Sequence, residues 1–345
     1  MLVKRLMYFI MALMFAMFVG CSSDSDDGGS STVISDFDAV QPIVDASVNV
    51  DVTPIVTAQV LYDNINDGDD TNNYVIVSVR SASHYEIGHI PGAININWRD
   101  IAKADKLTAL EARIASVQNS GKIAVYCYTG HTGAVATTIL RALGYDAYNV
   151  KFGIMDWTKD DAARGGVAPF SEETSFDYEL ETTINASSTY DLANPEFSSS
   201  ANADDIILAS SDLYASLGSA TYNADVLHGV INDGDTSNDP QIVSVRSADH
   251  YAIGHIPGAI NIPWKEIATK DNLKKIDPTR LVVVYCYTGH TGGIATTALN
   301  LLGYNAVNLK HGIMSWTKNT AARAGVAPFN EATGHDYPVT AGVNP

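Results

Sequence analysis

The chain repeats itself, and the repeat constrains the fold more than any other feature. Residues 88–95, Gly-His-Ile-Pro-Gly-Ala-Ile-Asn, recur unchanged at 254–261, an offset of 166. Residues 125–133, Val-Tyr-Cys-Tyr-Thr-Gly-His-Thr-Gly, recur unchanged at 284–292, an offset of 159. The first copy therefore carries seven more residues between the two blocks. The second offset persists through Lys151/Lys310, Trp157/Trp316 and Phe170/Phe329. Two copies of this length are each large enough to bury a core of their own. A solenoid would need a shorter period and more copies. We expect domains at 51–178 and 207–338, a Ser/Asn/Thr-rich linker at 179–206 and a short tail at 339–345.

Within a copy, short β-branched runs alternate with helical patterns. Tyr74 to Val79, Lys122 to Tyr126 and Ala147 to Lys151 read as strands, as do Gln241 to Val245 and Leu281 to Tyr285. Their lack of polar alternation suits strands covered on both faces. Leu107, Leu110, Ile114 and Val117 recur at helical spacing within 104–117. Val135, Ile139, Leu140 and Leu143 do so within 133–143, where Gly144 is a natural stop. Strand and helix in alternation predict an α/β fold for each copy, a mostly parallel sheet with helices on both faces.

The first 20 residues have another character. Lys4-Arg5 precedes an apolar run from Leu6 to Val19, which Gly20-Cys21 closes. This is the layout of a secretory signal, and 18-19-20-21, Phe-Val-Gly-Cys, resembles a bacterial lipobox with Cys21 as the lipidated residue. The plainer alternative is an uncleaved anchor helix. Ser22 to Ser31 is Ser, Asp and Gly only, a composition for a tether; the tether and lead-in occupy 21–50. These features predict an exported protein held by its N-terminal lipid; by resemblance to lipoproteins that lack Asp just after the cysteine, Ser22-Ser23 favours the outer membrane facing the periplasm. A net charge of −18 argues against nucleic acid or a further membrane surface as partner. It also means that an anionic ligand would need strong local compensation.

Cys127 and Cys286 each follow a buried strand and precede a helix, the place where open α/β sheets bind ligands. Residues Tyr128, Thr129, Gly130, His131, Thr132 and Gly133, and their counterparts Tyr287, Thr288, Gly289, His290, Thr291 and Gly292, form a tight turn into that helix. The turn's amides and the helix N-terminus make an anion cradle above the sulfur and favour its thiolate. A thiolate there is a nucleophile. The threonine hydroxyls offer further donors. His131 and His290 offer a positive charge when protonated, or a single donor when neutral. Two other readings stand beside this one: an inert core cysteine, and a Cys127–Cys286 disulfide if the two sites face each other. A zinc site lacks ligands, since each thiol has one histidine nearby and no second cysteine, and no other metal or cofactor is expected.

Taken together, Val79-Arg80, Tyr85, residues 88–95, Cys127-x-x-Gly130-x-Thr132, Gly153 and Trp157 resemble a rhodanese-type domain. The second copy carries the same set around Val245-Arg246, Tyr251, 254–261, Cys286, Gly312 and Trp316. The pair is similar to a tandem-domain thiosulfate sulfurtransferase. That resemblance implies sulfane-sulfur transfer through a cysteine persulfide, from thiosulfate or a related small anion to cyanide, a thiol or a protein acceptor. Familiar tandem members tend to keep the cysteine only in the second domain; here both Cys127 and Cys286 stand in the same loop, which predicts two competent sites, and we expect them to act independently. Related phosphatases place Arg at the sixth position after Cys, where this chain has Gly133 and Gly292, so phosphoryl transfer is not expected. Three departures from the family pattern stand out: Ser78/Ser244 in place of Asp, His84/His250 where Glu is common, and Tyr128/Tyr287 where thiosulfate enzymes often have Arg. A non-enzymatic persulfide carrier and a structural interaction module at the cell surface remain as alternative functions.

Arg80 and Arg246 lie either at the pocket mouth or in a structural bond holding the next loop. His89 and His255 read as turn residues spent on backbone, Trp157 and Trp316 as core aromatics. The Asp-rich turns near Asp67 and Asp233 miss one ligand place of a calcium loop and read as solvated turns.

Overall fold

The computed structural model describes residues 34–173, 175–200 and 202–344. The segments read as a signal peptide and as a Ser/Asp/Gly tether, with Cys21 between them, lie outside the described residues. From Ser35 onward the chain forms one compact unit. No helix among the described residues is long and apolar enough to cross a membrane.

The first copy runs α1 (Asp36–Val48), β1 (Ile55–Val56), α2 (Ala58–Ile65), β2 (Val75–Ser78), α3 (Ala82–Ile87), β3 (Ile94–Asn95), α4 (Ala104–Ser116), β4 (Lys122–Tyr126), α5 (His131–Ala142), β5 (Asp146–Val150) and α6 (Ile154–Trp157). The second runs α7 (Ala203–Ser216), β6 (Thr221–Tyr222), α8 (Ala224–Ile231), β7 (Gln241–Ser244), α9 (Ala248–Ile253), β8 (Ile260–Asn261), α10 (Lys270–Leu273), β9 (Val282–Tyr285), α11 (His290–Leu301), β10 (Ala306–Leu309) and α12 (Ile313–Trp316). Each copy builds a five-stranded parallel sheet, ordered β1-β5-β4-β2-β3 and β6-β10-β9-β7-β8. Val77 stands opposite Val125 and Val125 opposite Asn149; Val243, Val284 and Asn308 repeat that register.

The α/β fold read from the sequence is the fold observed. The seven residues missing from the second copy fall at α4, whose counterpart α10 is a single turn. Helices α5 and α11 start at the loop histidines, His131 and His290. The two-residue edge strands were too short to carry a periodic signal.

The sheets do not stand as two separate balls. One apolar core holds the inner faces of both, with Val125, Cys127 and Ala134 of the first copy beside Val284, Cys286 and Ile294 of the second. Smaller clusters cover the outer faces, around Leu61 and Trp157 in one copy and Leu227 and Trp316 in the other. Helices α1 and α7 join the central core through Val40, Val44, Ile206 and Ile207. Each reaches across the pair: Gln41 Nε2 donates to Ala268 O at 2.8 Å, and Trp98 meets Tyr214 edge to face.

The segments after each copy are exchanged in the same way. Tyr337, from the end of the second copy, stacks on Tyr62 of the first at 3.9 Å, and Trp157 Nε1 donates to Pro338 O. Reciprocally, Tyr178 stacks on His228 at 3.8 Å, and Trp316 Nε1 donates to Glu179 O. Buried Arg164 takes both oxygens of Glu331, and buried Arg323 both of Glu172. The stretch from 181 onward, read as a linker, is in part docked. Glu181 bridges His255 with antiparallel backbone bonds, and Asn185 N donates to Tyr251 OH. Its polar composition hid this because backbone groups make much of the attachment.

Candidate active site

The thiols sit at the carboxyl ends of β4 and β9, where the register places the mouth of each sheet. After Tyr126 the chain turns through Cys127, Tyr128 and Thr129 to Gly130, whose φ of 89° caps α5 in the left-handed region. Gly289 does the same at 91° for α11. Only glycine adopts that conformation without strain. The turn brings the Gly130 N–H onto Cys127 Sγ at 3.0 Å, and the Gly289 N–H onto Cys286 Sγ at 3.0 Å. The first amides of α5 and α11 lack intrahelical acceptors by helix geometry and add the positive end of the dipole.

Two supports hold each turn from below. Asn149 Nδ2 donates to Gly130 O at 2.9 Å, and Asn308 Nδ2 to Gly289 O at 2.8 Å. Their Oδ1 atoms, buried and without a hydrogen-bond partner among the described residues, lie against Gly133 and Gly292, where a Cβ would collide. On the other side, Ile154 N and Met155 N donate to Cys127 O and Tyr128 O at 2.9 and 3.1 Å. Ile313 N and Met314 N do so for Cys286 and Tyr287. The asparagines were not singled out in the sequence. Their signal was an asparagine matched in both copies at the buried end of a strand, Asp-Ala-Tyr-Asn-Val in one and Ala-Val-Asn-Leu in the other.

The two loops meet, a contact that nothing in the sequence indicated. His131 Nε2 accepts the His311 N–H at 3.0 Å, and His290 Nε2 accepts the Phe152 N–H at 2.9 Å, each across the pair. The two imidazoles lie nearly parallel, 6.0 Å apart between centroids. A Cβ on Gly130 would stand 2.5 Å from His290 Nε2, and one on Gly289 would overlap His131 Nε2 as closely. Glycine is thus required twice over, for its backbone and for the opposite ring. Despite this proximity the cysteines are free thiols, so the disulfide is not formed.

The histidines supply no positive charge near neutral pH. Burial, then the charges of His311, His290 and Lys310, hold His131 well below its usual value. Burial, followed by Lys151 and His311, lowers His290 to about 3. Since each Nε2 accepts an amide hydrogen, the ring proton resides on Nδ1 and is donated 2.8 Å to Thr129 Oγ1 or Thr288 Oγ1. Positive charge comes instead from Lys151 and Lys310, near enough to depress these rings. They are matched lysines at the ends of β5 and β10 in an acidic chain, a signal the sequence reading passed over.

Both thiols are closed in, with Cys127 2 % and Cys286 1 % exposed. The half-exposed members of the loops are Tyr128, Thr129 and Thr132, and Tyr287 and Thr291. A ligand approaches from that rim. Two of the departures from the family pattern touch there: Tyr128 OH bonds His84 Nδ1 at 2.6 Å, and Tyr287 OH bonds His250 Nδ1 at 2.5 Å. Ser81 N–H donates to Tyr128 OH as well, and Ser247 N–H to Tyr287 OH, so each loop tyrosine is tied sideways to the start of α3 or α9.

Arg80 and Arg246 are not at the mouth. Each is 1 % exposed, and each guanidinium is spent on carbonyls: Ala163 and Gly88 for Arg80, Ala322 and Gly254 for Arg246. His89 and His255 bond the Tyr85 and Tyr251 carbonyls through Nδ1 and stack on those tyrosine rings. The Asp67 and Asp233 carboxylates are turned onto their own loops, accepting from Asp69 N and Asp235 N.

Comparison with known proteins agrees with this architecture. A family model described as Rhodanese-like domain matches residues 57–160 and 224–319, together more than half of the chain. The thiosulfate:glutathione sulfurtransferase of Saccharomyces cerevisiae is 33 % identical over 91 residues, covering 23 % of this chain and 66 % of that protein. The adenylyltransferase and sulfurtransferase UBA4 of Meyerozyma guilliermondii is 32 % identical over 87 residues, covering 23 % of this chain. The match spans only 20 % of that relative's length. Among solved structures, the thiosulfate sulfurtransferase of Pseudomonas aeruginosa overlaps 91 % of this chain and 50 % of its own, at 14 % identity and a TM-score of 0.28. A rhodanese-like domain protein of Staphylococcus aureus overlaps 29 % of this chain and 92 % of its own, at 27 % identity and a TM-score of 0.26. With its domain found twice over, the chain belongs to the rhodanese-like family, whose sulfurtransferase members are its relatives.

Proposed function

We propose that the protein is a sulfurtransferase that carries sulfane sulfur as a persulfide on Cys127 and on Cys286. The observation that carries this reading is the sulfur at a helix N-terminus, met at 3.0 Å by the cap glycine's N–H in both copies. That donor, with the dipole behind it, stabilises a charged sulfur in either state of the cycle. The thiolate attacks the outer sulfur of thiosulfate or a related donor. One S–S bond forms, another breaks, and sulfite leaves with the electron pair. Cyanide or a thiolate then takes the outer sulfur, giving thiocyanate or a new persulfide and restoring the cysteine thiolate. The name of the yeast relative supports a thiol acceptor, and a protein thiol is within the same chemistry. Lys151 and Lys310 draw the anionic donor against the chain's overall charge of −18. In this reading the protein is exported and tethered through a lipid on Cys21, the outer membrane holding it toward the periplasm.

The test is sulfite release from thiosulfate with cyanide as acceptor, on the fragment starting at Ser35. Each of Cys127→Ser and Cys286→Ser should retain part of the activity, and the double variant none. Full activity in the double variant would sink the reading. The exposure of only 1–2 % at the thiols favours, as a second reading, a carrier loaded by a partner. Mass gain of up to two sulfur atoms without steady sulfite release identifies that case.

A further inference from the structure

We propose that His290 is a positioning residue for Cys127 and His131 for Cys286, so that each thiol is held in place by the opposite copy's loop. The consequence for turnover rests on the sulfurtransferase reading; the positioning itself does not.

Among the described residues, Phe152, His311 and Ala324 are the non-glycine residues with positive φ, and Phe152 and His311 sit at 59° and 63°. An L-residue there is strained and keeps the conformation only when its surroundings enforce it. For Phe152 the enforcing contact is the hydrogen bond from its N–H to His290 Nε2. Phe329, also from the second copy, packs edge-on against the Phe152 ring at 5.4 Å. For His311 the contacts are His131 Nε2 and, from the first copy, Phe170 at 5.1 Å.

What the strained residue controls follows immediately in the chain. Gly153, also at positive φ, packs so closely under the loop that a Cβ would collide with the backbone of Cys127 and Tyr128. The next two amides, Ile154 and Met155, are the donors that hold the Cys127 and Tyr128 carbonyls. From His290 Nε2 to the backbone of Cys127 is therefore one interdomain hydrogen bond, three residues and a second hydrogen bond. The path from His131 through His311, Gly312 and Ile313 to Cys286 has the same composition. Since His290 also closes its own turn through Thr288, a movement of the Cys286 loop on sulfur loading is passed to the Cys127 loop, and the reverse.

The test is peptide-resolved alkylation of the chain from Ser35 by iodoacetamide, without sulfur donor. His290→Ala should speed modification of Cys127 about fivefold, the factor for releasing a restraint worth one hydrogen bond. His131→Ala should do so for Cys286. His290→Gln, whose Oε1 can accept the Phe152 N–H, should restore the Cys127 rate to within about a factor of two. An effect of His290→Ala confined to Cys286, its own loop, would overturn the proposal, as would His290→Gln behaving like His290→Ala. If His290→Ala unfolds the protein, His290→Asn, polar but too short to reach Phe152 N, takes its place with the same expectation. In a Cys286→Ser background, His290→Ala should also lower kcat at Cys127, with His290→Gln restoring it. Absence of turnover even in the unaltered protein would refute the sulfurtransferase reading and leave the alkylation result standing.

Discussion

Three imidazoles, His131, His290 and His311, meet where the two loops touch, and all three are kept neutral. Burial and then the Lys310 charge lower His311 to about 4, and His290 lies at about 3. In the unfolded chain such rings take a proton near pH 6.5. Between that value and the folded ones, the unfolded state binds more protons. Stability is therefore full above about pH 6.5 and falls as the pH drops toward the folded values, by at most about 1.4 kcal/mol per pH unit for each ring. The first copy has Phe152 where the second has His311. His311→Phe should remove one titrating ring and the repulsion it exerts on the other two. The difference in urea midpoint between about pH 7 and about pH 4.5 should shrink in that variant. An unchanged difference would mean that the acid sensitivity lies elsewhere.

At the scale of elements, the C-terminal arms are the joints of the molecule. Tyr337 is stacked on Tyr62 at 3.9 Å and lies 5.2 Å from Trp157, both belonging to the first copy. Tyr337→Ala should cost about 2 kcal/mol in urea unfolding, below the usual range for a fully buried aromatic because the ring is only half-buried. Tyr178→Ala should cost a similar amount; no loss in either would show that the arms merely rest on the surface. These joints were partly legible. Asp177-Tyr178 matches Asp336-Tyr337, and Glu172 matches Glu331, at the same offset of 159 that holds through the loops. The repeat thus ran beyond Phe170 and Phe329, but a match in sequence does not say which copy a segment folds onto. The strands and α4 were readable because burial on two faces or on one stripe leaves its own residue pattern. The crossing of His131 and His290 was not, because an imidazole looks the same whether it bonds its own loop or another.

For the whole molecule, the shared core means that neither half is complete alone. Phe37, Val40, Val44 and Val48 of α1 are buried in a cluster that includes residues of the second copy. The fragment 35–200 would expose that surface as a monomer. It should instead sediment as a dimer, with a second copy of itself standing in for the missing half. A stable, compact monomer would contradict the shared core. The crossed loops carry a consequence of another kind. A domain working alone can drift at any position its own packing tolerates. Here a change at Gly130 or His131 disturbs a neighbour that did not change, and a compensating change has to arise in the other half before either is useful. Substitutions at the crossing glycine and histidine are thereby felt in both halves, and these positions are identical in the two copies, while the strands leading into the stretch, Lys-Ile-Ala and Leu-Val-Val, have parted company.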